Sequence, residues 1–154
     1  MIKQKCRLCK SKKLHKFLDL GNQPPSDQFK DLKEIKKPTI YYPLEVYTCL
    51  KCGFKQLGFV VDPKILYQKN YPYESSLTKF GNKHFDEFAK TCIKSFGLKK
   101  KDLVIDIGSN VGNLLTHFQK RNVSILGIDP ASNICKIANK RKIKTINSFF
   151  NNSI

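Results

Sequence analysis

The run Leu103-Val104-Ile105-Asp106-Ile107-Gly108-Ser109-Asn110-Val111-Gly112-Asn113 constrains this chain most, because a short helical stretch later Ile125-Leu126-Gly127-Ile128-Asp129-Pro130 answers it. Each run reads as a buried strand that ends in an acid, and a glycine turn leads from the first strand into the helix. Strand, helix and strand in that order begin a parallel α/β sheet. Turn amides, together with an acid that closes the second strand and accepts ribose hydroxyls, are how such sheets hold an adenosine-containing cofactor.

Length and composition bound the rest. With 154 residues and 40% hydrophobic side chains, the chain suffices for one ordinary domain or two small ones. No stretch approaches the roughly 18 to 20 apolar residues of a membrane span, and Met1-Ile2-Lys3-Gln4-Lys5 leads into cysteines and lysines rather than an apolar signal core. A soluble, cytoplasmic protein with no membrane partner is therefore expected. The formal net charge of +17 points towards nucleic acid only where the basic residues are arginine-rich or segregated. Here they are neither: Arg7, Arg121 and Arg141 are the only arginines, and lysines run along the whole chain. The pattern speaks against a nucleic-acid partner, and a basic surface equally attracts a small substrate carrying a diphosphate.

Four of the six cysteines form two pairs, Cys6-Arg7-Leu8-Cys9 and Cys49-Leu50-Lys51-Cys52-Gly53. A two-residue gap aims both thiolates of a knuckle at one ion, so two knuckles supply the four ligands of a closed, structural zinc site. Iron fits four thiolates as well. Two disulfides and redox-active thiol pairs are the competing readings, the first disfavoured in a reducing compartment. The wide gap between the pairs calls for a folded insertion. Cys92 sits on the stripe Phe85, Phe88, Ala89, Cys92, Ile93 and Phe96 of a helix, and Cys135 among Ile134, Ile137 and Ala138 of another; both read as small buried hydrophobes.

Three segments follow. Residues 1–63 make a small β-rich zinc-binding module with extended pieces at Leu44 to Thr48 and Gln56 to Val61 and a breaker cluster Gly21-Asn22-Gln23-Pro24-Pro25. Residues 64–100 hold a tyrosine-rich connector and an amphipathic helix from about Phe80 to Phe96, closed by Gly97. Residues 101–154 start the parallel sheet, with Lys144 to Phe150 as a third strand.

The turn Gly108-Ser109-Asn110-Val111-Gly112 does not follow the G-x-G-x-x-G dinucleotide pattern. Asp106-x-Gly108 at one strand end, with Asp129 at the next, resembles the opening motifs of class I S-adenosylmethionine-dependent methyltransferases. The order first knuckle, Leu18-Asp19-Leu20-Gly21-Asn22-Gln23-Pro24, second knuckle, Tyr71-Pro72-Tyr73-Glu74-Ser75-Ser76, then Asp106 to Gly112 is similar to the sugar C-methyltransferases that act on nucleotide-linked deoxy-keto-hexoses. The resemblance implies a zinc module followed by the first half of a Rossmann-like methyltransferase domain, with S-adenosylmethionine and zinc as cofactors and a nucleotide-linked sugar as substrate. It implies zinc ligation by Cys6, Cys9, Cys49 and Cys52, and a catalytic place for Tyr73 with Ser75 beside the cofactor. It further implies a cofactor site of Asp106, Gly108, Ser109, Asn110, Gly112 and Asp129, with Asp129 standing where the family commonly has glutamate.

Carbon methylation of this kind removes a proton next to a keto group and aims the enolate at a sulfonium methyl, so it needs a base. In the family that base lies beyond the first half of the methyltransferase domain, so the chain reads as an N-terminal part whose remainder, or a partner chain, completes the site. Its final strand is expected to expose backbone and an apolar face. Tyr67, Tyr71 and Tyr73 have a plainer alternative as packing residues between module and helix. His84 and His117 read as surface or packing residues, His15 sits in the lysine-rich flank of the first knuckle, and none of the three reads as a metal ligand.

Overall fold

The computed structural model describes residues 4–27, 29–68, 71–75 and 78–154; Ser76 of the connector motif lies outside the described residues. The chain divides between Leu66 and Tyr67 into two compact units, each with its own sheet. It is a mixed α/β protein with a small cysteine-rich module and a parallel sheet.

In the first unit β1 (Leu14–Gln23), β2 (Tyr42–Cys49) and β3 (Lys55–Leu57) form an antiparallel sheet in chain order. The breaker cluster expected at Gly21 does not end a strand. Instead β1 runs through Gly21-Asn22-Gln23 with a register shift after Asp19, because Gly21 at φ 68° takes up the extra backbone as a bulge and donates its amide to Asp19 Oδ1 at 2.9 Å. Asp19 faces Glu45 across the ladder. Lys16 Nζ relieves that like-charge pair, at 2.6 Å from Asp19 and 3.0 Å from Glu45. β3 stops short of the expected Val61, since after the Gly58 amide bonds Glu45 O the chain turns Phe59 onto Tyr42, ring centroids 5.7 Å apart.

After the short helix α1 (Pro63–Tyr67), the second unit carries α2 (Lys79–Phe96), β4 (Leu103–Ile107), α3 (Asn113–Gln119), β5 (Ser124–Asp129), α4 (Ser132–Lys140) and β6 (Thr145–Asn147). Thr78 caps α2 by accepting the Gly81 amide, and Gly97 closes it. β4, β5 and β6 pair in parallel in chain order, Asp106 opposite Gly127 and Gly127 opposite Thr145. α2 packs Ala89, Cys92 and Ile93 onto Phe118 and Val123, and α3 and α4 close Leu115, Ala138 and Ile143 over Val104 and Ile125.

Two expectations need correction. β4 is buried on one face only: Leu103, Ile105 and Ile107 are 54%, 49% and 57% exposed. Side chains alternate along a strand, and the packed helices cover only the face that carries Val104. Likewise Phe88 and Phe96 of the predicted stripe stay exposed; they rim an open apolar groove of about 250 Å³ with Leu98 and Ile105. Among the described residues no helix is long and apolar enough to cross a membrane.

Candidate functional site

Both cysteine pairs sit on tight turns flanking paired backbone. The first precedes β1; the second follows β2, where the Cys49 amide donates to Phe54 O at 2.8 Å. Pairing of Leu14 with Cys49 brings the two knuckles together. The residue after each second cysteine takes a left-handed conformation, Lys10 at φ 61° and Gly53 at φ 74°, which bends the chain back around the sulfurs.

The four Sγ atoms lie within 4.8 Å of one another, Cys6 to Cys52 at 3.7 Å and Cys9 to Cys49 at 3.6 Å. Four thiolates at about 2.3 Å from one zinc ion stand about 3.8 Å apart in a tetrahedron. The cluster therefore fits a tetrahedral metal, and these separations are far beyond a disulfide bond. Burial resists ionisation of Cys49, but the Cys52 and Lys51 amides and the neighbouring thiols overcome it and draw Cys49 down to about 6.

One contributor escaped the sequence reading. Gln56 on β3 is buried; its Oε1 accepts the Arg7 amide at 2.8 Å and its Nε2 donates to Lys5 O at 3.2 Å. It brackets the backbone of Cys6. A glutamine at an inward strand position carries no signal in the sequence, since its partners lie about fifty residues away.

In the second unit the glycine turn joins β4 to α3, with Gly108, Asn110 and Gly112 all at positive φ. Gly108 leaves open space, for a Cβ there meets nothing within 4 Å. Gly112 is a packing glycine, with Ile143 Cγ2 only 2.5 Å from the Cβ position. The turn amides expected to serve a cofactor are occupied internally: Gly108 and Ser109 donate to Ile128 O, Asn110 to Asp129 Oδ2, Val111 to Asn110 Oδ1 and Gly112 to Ser109 O. Ser109 Oγ is buried without a partner among the described residues and occupies the space beside Gly127.

The two acids end neighbouring strands and differ in state. Asp129 is buried and each of its oxygens accepts one backbone amide, Oδ2 that of Asn110 and Oδ1 that of Ala131, both at 2.9 Å. Asp106 is half-buried and has no hydrogen-bond or ion-pair partner among the described residues; burial first, then the charge of Asp129, pushes its carboxyl above the usual range. An acceptor left open beside open space suits a cationic or hydrogen-bond-donating ligand group.

The connector meets this turn. Asn110 Nδ2 donates to Tyr73 O at 2.9 Å, and the Ser75 amide donates to Asn110 Oδ1 at 2.8 Å. Tyr73 and Ser75 thus join the turn through backbone, while Tyr71 sets its ring against Val111, Ala131 and Ile134 and meets the Tyr67 ring edge-on at 5.9 Å. Of the two readings of His117, surface or packing, the second holds: it is buried, with Nδ1 3.0 Å from Asp86 Oδ1. Cys135 is a buried thiol directed at Asp129 O, 3.1 Å away.

Residues 6–67 match the protein family described as "Putative zinc binding domain", a span that contains all four clustered cysteines. The C-methyltransferase NovU of Streptomyces niveus is 28% identical over 145 residues, covering 94% of this chain and 34% of NovU. The chain thus spans about a third of the length of that curated relative. The two likenesses overlap on the cysteine module, and together they support placing this chain with the N-terminal region of a zinc-binding C-methyltransferase family.

Proposed function

We propose that this chain is the cofactor-binding and zinc-binding part of an S-adenosylmethionine-dependent C-methyltransferase. The observation that carries the reading is Asp106: a half-buried carboxylate with no hydrogen-bond or ion-pair partner among the described residues, beside the open face of Gly108. The cysteine module (residues 1–63) holds zinc on Cys6, Cys9, Cys49 and Cys52 as a structural ion, since four thiolates leave no position for a reacting water. Residues 64–100 carry the connector and its helix. Residues 101–154 open a Rossmann-like methyltransferase domain.

S-adenosylmethionine supplies an electrophilic sulfonium methyl. The chain's residues bind and orient. Asp106 accepts the ligand's ammonium group, the turn from Gly108 through Ser109 and Asn110 to Gly112 gives it a close backbone surface, and Asp129 offers its remaining lone pairs to ribose hydroxyls while holding the turn. Tyr73, 57% exposed, faces the reacting sugar, and Ser75 lies beside the cofactor. The substrate is a nucleotide-linked deoxy-keto sugar, and the net charge of +17 favours capture of its diphosphate. The base that removes the proton next to the keto group comes from the part of the enzyme that NovU has beyond this chain's match.

Isothermal titration of S-adenosylmethionine into the zinc-loaded chain tests this. Saturable binding that Asp106→Asn weakens at least about tenfold supports the reading. Binding unaffected by Asp106→Asn, or no binding, overturns it.

A further inference from the structure

Three asparagine side chains fasten the segment from Tyr71 to Ser75 to the α/β unit. Asn133, in the first turn of α4, pairs with Tyr71 in both directions: the Tyr71 amide donates to Oδ1 at 3.1 Å, and Nδ2 donates to Tyr71 O at 2.8 Å. Asn110 repeats the pattern further along, donating to Tyr73 O and accepting from the Ser75 amide. Asn113 Nδ2 donates to Ser75 O. Its amide cannot turn over, because Arg141 Nη2 donates to Asn113 Oδ1 at 2.6 Å while Nη1 reaches Val111 O at 3.3 Å.

Every bond from these asparagines to the segment goes to its backbone. A carboxamide offers an acceptor and two donors, so it meets an extended chain as a neighbouring strand does and fixes register independently of side-chain packing. Among the described residues the Tyr71 ring packs against the core, whereas the Tyr73 ring, between two anchored carbonyls, is exposed. Asn110 belongs to both sides of the contact, since its own amide is held by Asp129 Oδ2.

We infer that Asn110 and Asn133 are positioning residues: they latch Tyr71–Ser75 along the glycine turn and so hold Tyr73 beside a ligand seated there. This role rests on the cofactor reading above. A segment latched beside a bound ligand slows its departure more than its arrival, because it is already in place when the ligand arrives.

The test uses the full zinc-loaded chain, S-adenosylmethionine as the probe, and Asn133→Ala, which removes both bonds to Tyr71 without touching the turn. Asn133→Asp, which keeps the acceptor for the Tyr71 amide but loses the donor, is the milder second variant. Stopped-flow binding is expected to show release about tenfold faster in Asn133→Ala, with association changed less than about twofold and an intermediate effect in Asn133→Asp. A purely structural asparagine would lower the melting temperature without this split between the two rates. Binding by the wild type with unchanged release in both variants overturns the latch alone. No binding by the wild type overturns the cofactor reading and the latch with it.

Discussion

Asp129 accepts the backbone amide of Asn110 at 2.9 Å through Oδ2, so the acid that closes β5 is itself part of the glycine turn. Its Oδ1 takes the Ala131 amide, and both bonds are buried. Asp106, one strand away, makes no hydrogen bond or ion pair among the described residues. The two acids should therefore separate in experiment. Asp129→Ala leaves two buried amides without acceptors, about 1–3 kcal/mol each, and lowers both stability and ligand binding. Asp106→Asn leaves stability within about 0.5 kcal/mol of wild type while weakening ligand binding. Paired thermal melts and titrations check both.

Gly112→Ala meets two obstacles at once. The residue stands at φ 77°, and the new methyl would lie 2.5 Å from Ile143 Cγ2. A loss of about 1–3 kcal/mol is expected by chemical denaturation, because Ile143 is fully buried and has little room to withdraw.

These two acids and Gly112 show how far the sequence could be read. Alternation, the acids at strand ends and the glycine spacing located β4, β5 and the turn, because those signals are local. The two-residue cysteine gaps likewise located the four thiols that cluster. What escaped depends on distant partners: Asn133 and Gln56 act on backbone 62 and up to 51 residues away, and β1 passes through a glycine that reads as a breaker. The exposed face of β4 escaped for a related reason, since an apolar run does not say whether one face or two will be covered.

Gln56→Ala should weaken zinc binding 10- to 100-fold, the usual effect of removing a residue that orients a ligand from outside the coordination shell. The cause is loss of the bracket on Lys5 O and the Arg7 amide, which leaves Cys6 free to swing away from Cys52. Competition with a chromophoric chelator measures the affinity. A cobalt-substituted sample should keep the absorption of a tetrahedral thiolate site, because all four sulfurs remain.

Asp86 bridges α2 to α3, with Lys90 Nζ, Arg121 Nη2 and His117 Nδ1 around it at 2.7, 2.6 and 3.0 Å. The Lys90 ammonium first, then the Arg121 guanidinium, holds its carboxyl well below the usual carboxylate range. A depressed folded value means that the stabilisation is fully present above the ordinary value near 3.8 and is lost as pH falls below it. Asp86→Asn should lower the melting temperature at pH 7, and the gap to wild type should narrow as the pH drops below about 4. Melts across that range decide it; a gap independent of pH contradicts the ion-pair account.

The most direct test of the whole account is calorimetric titration of S-adenosylmethionine into the zinc-loaded wild-type chain and Asp106→Asn side by side. The account predicts saturable one-to-one binding in the range of about 1 μM to 1 mM typical of enzyme ligands, weakened at least about tenfold by the substitution at unchanged melting temperature. No heat of binding to the wild type, or equal affinity in both proteins, would contradict it.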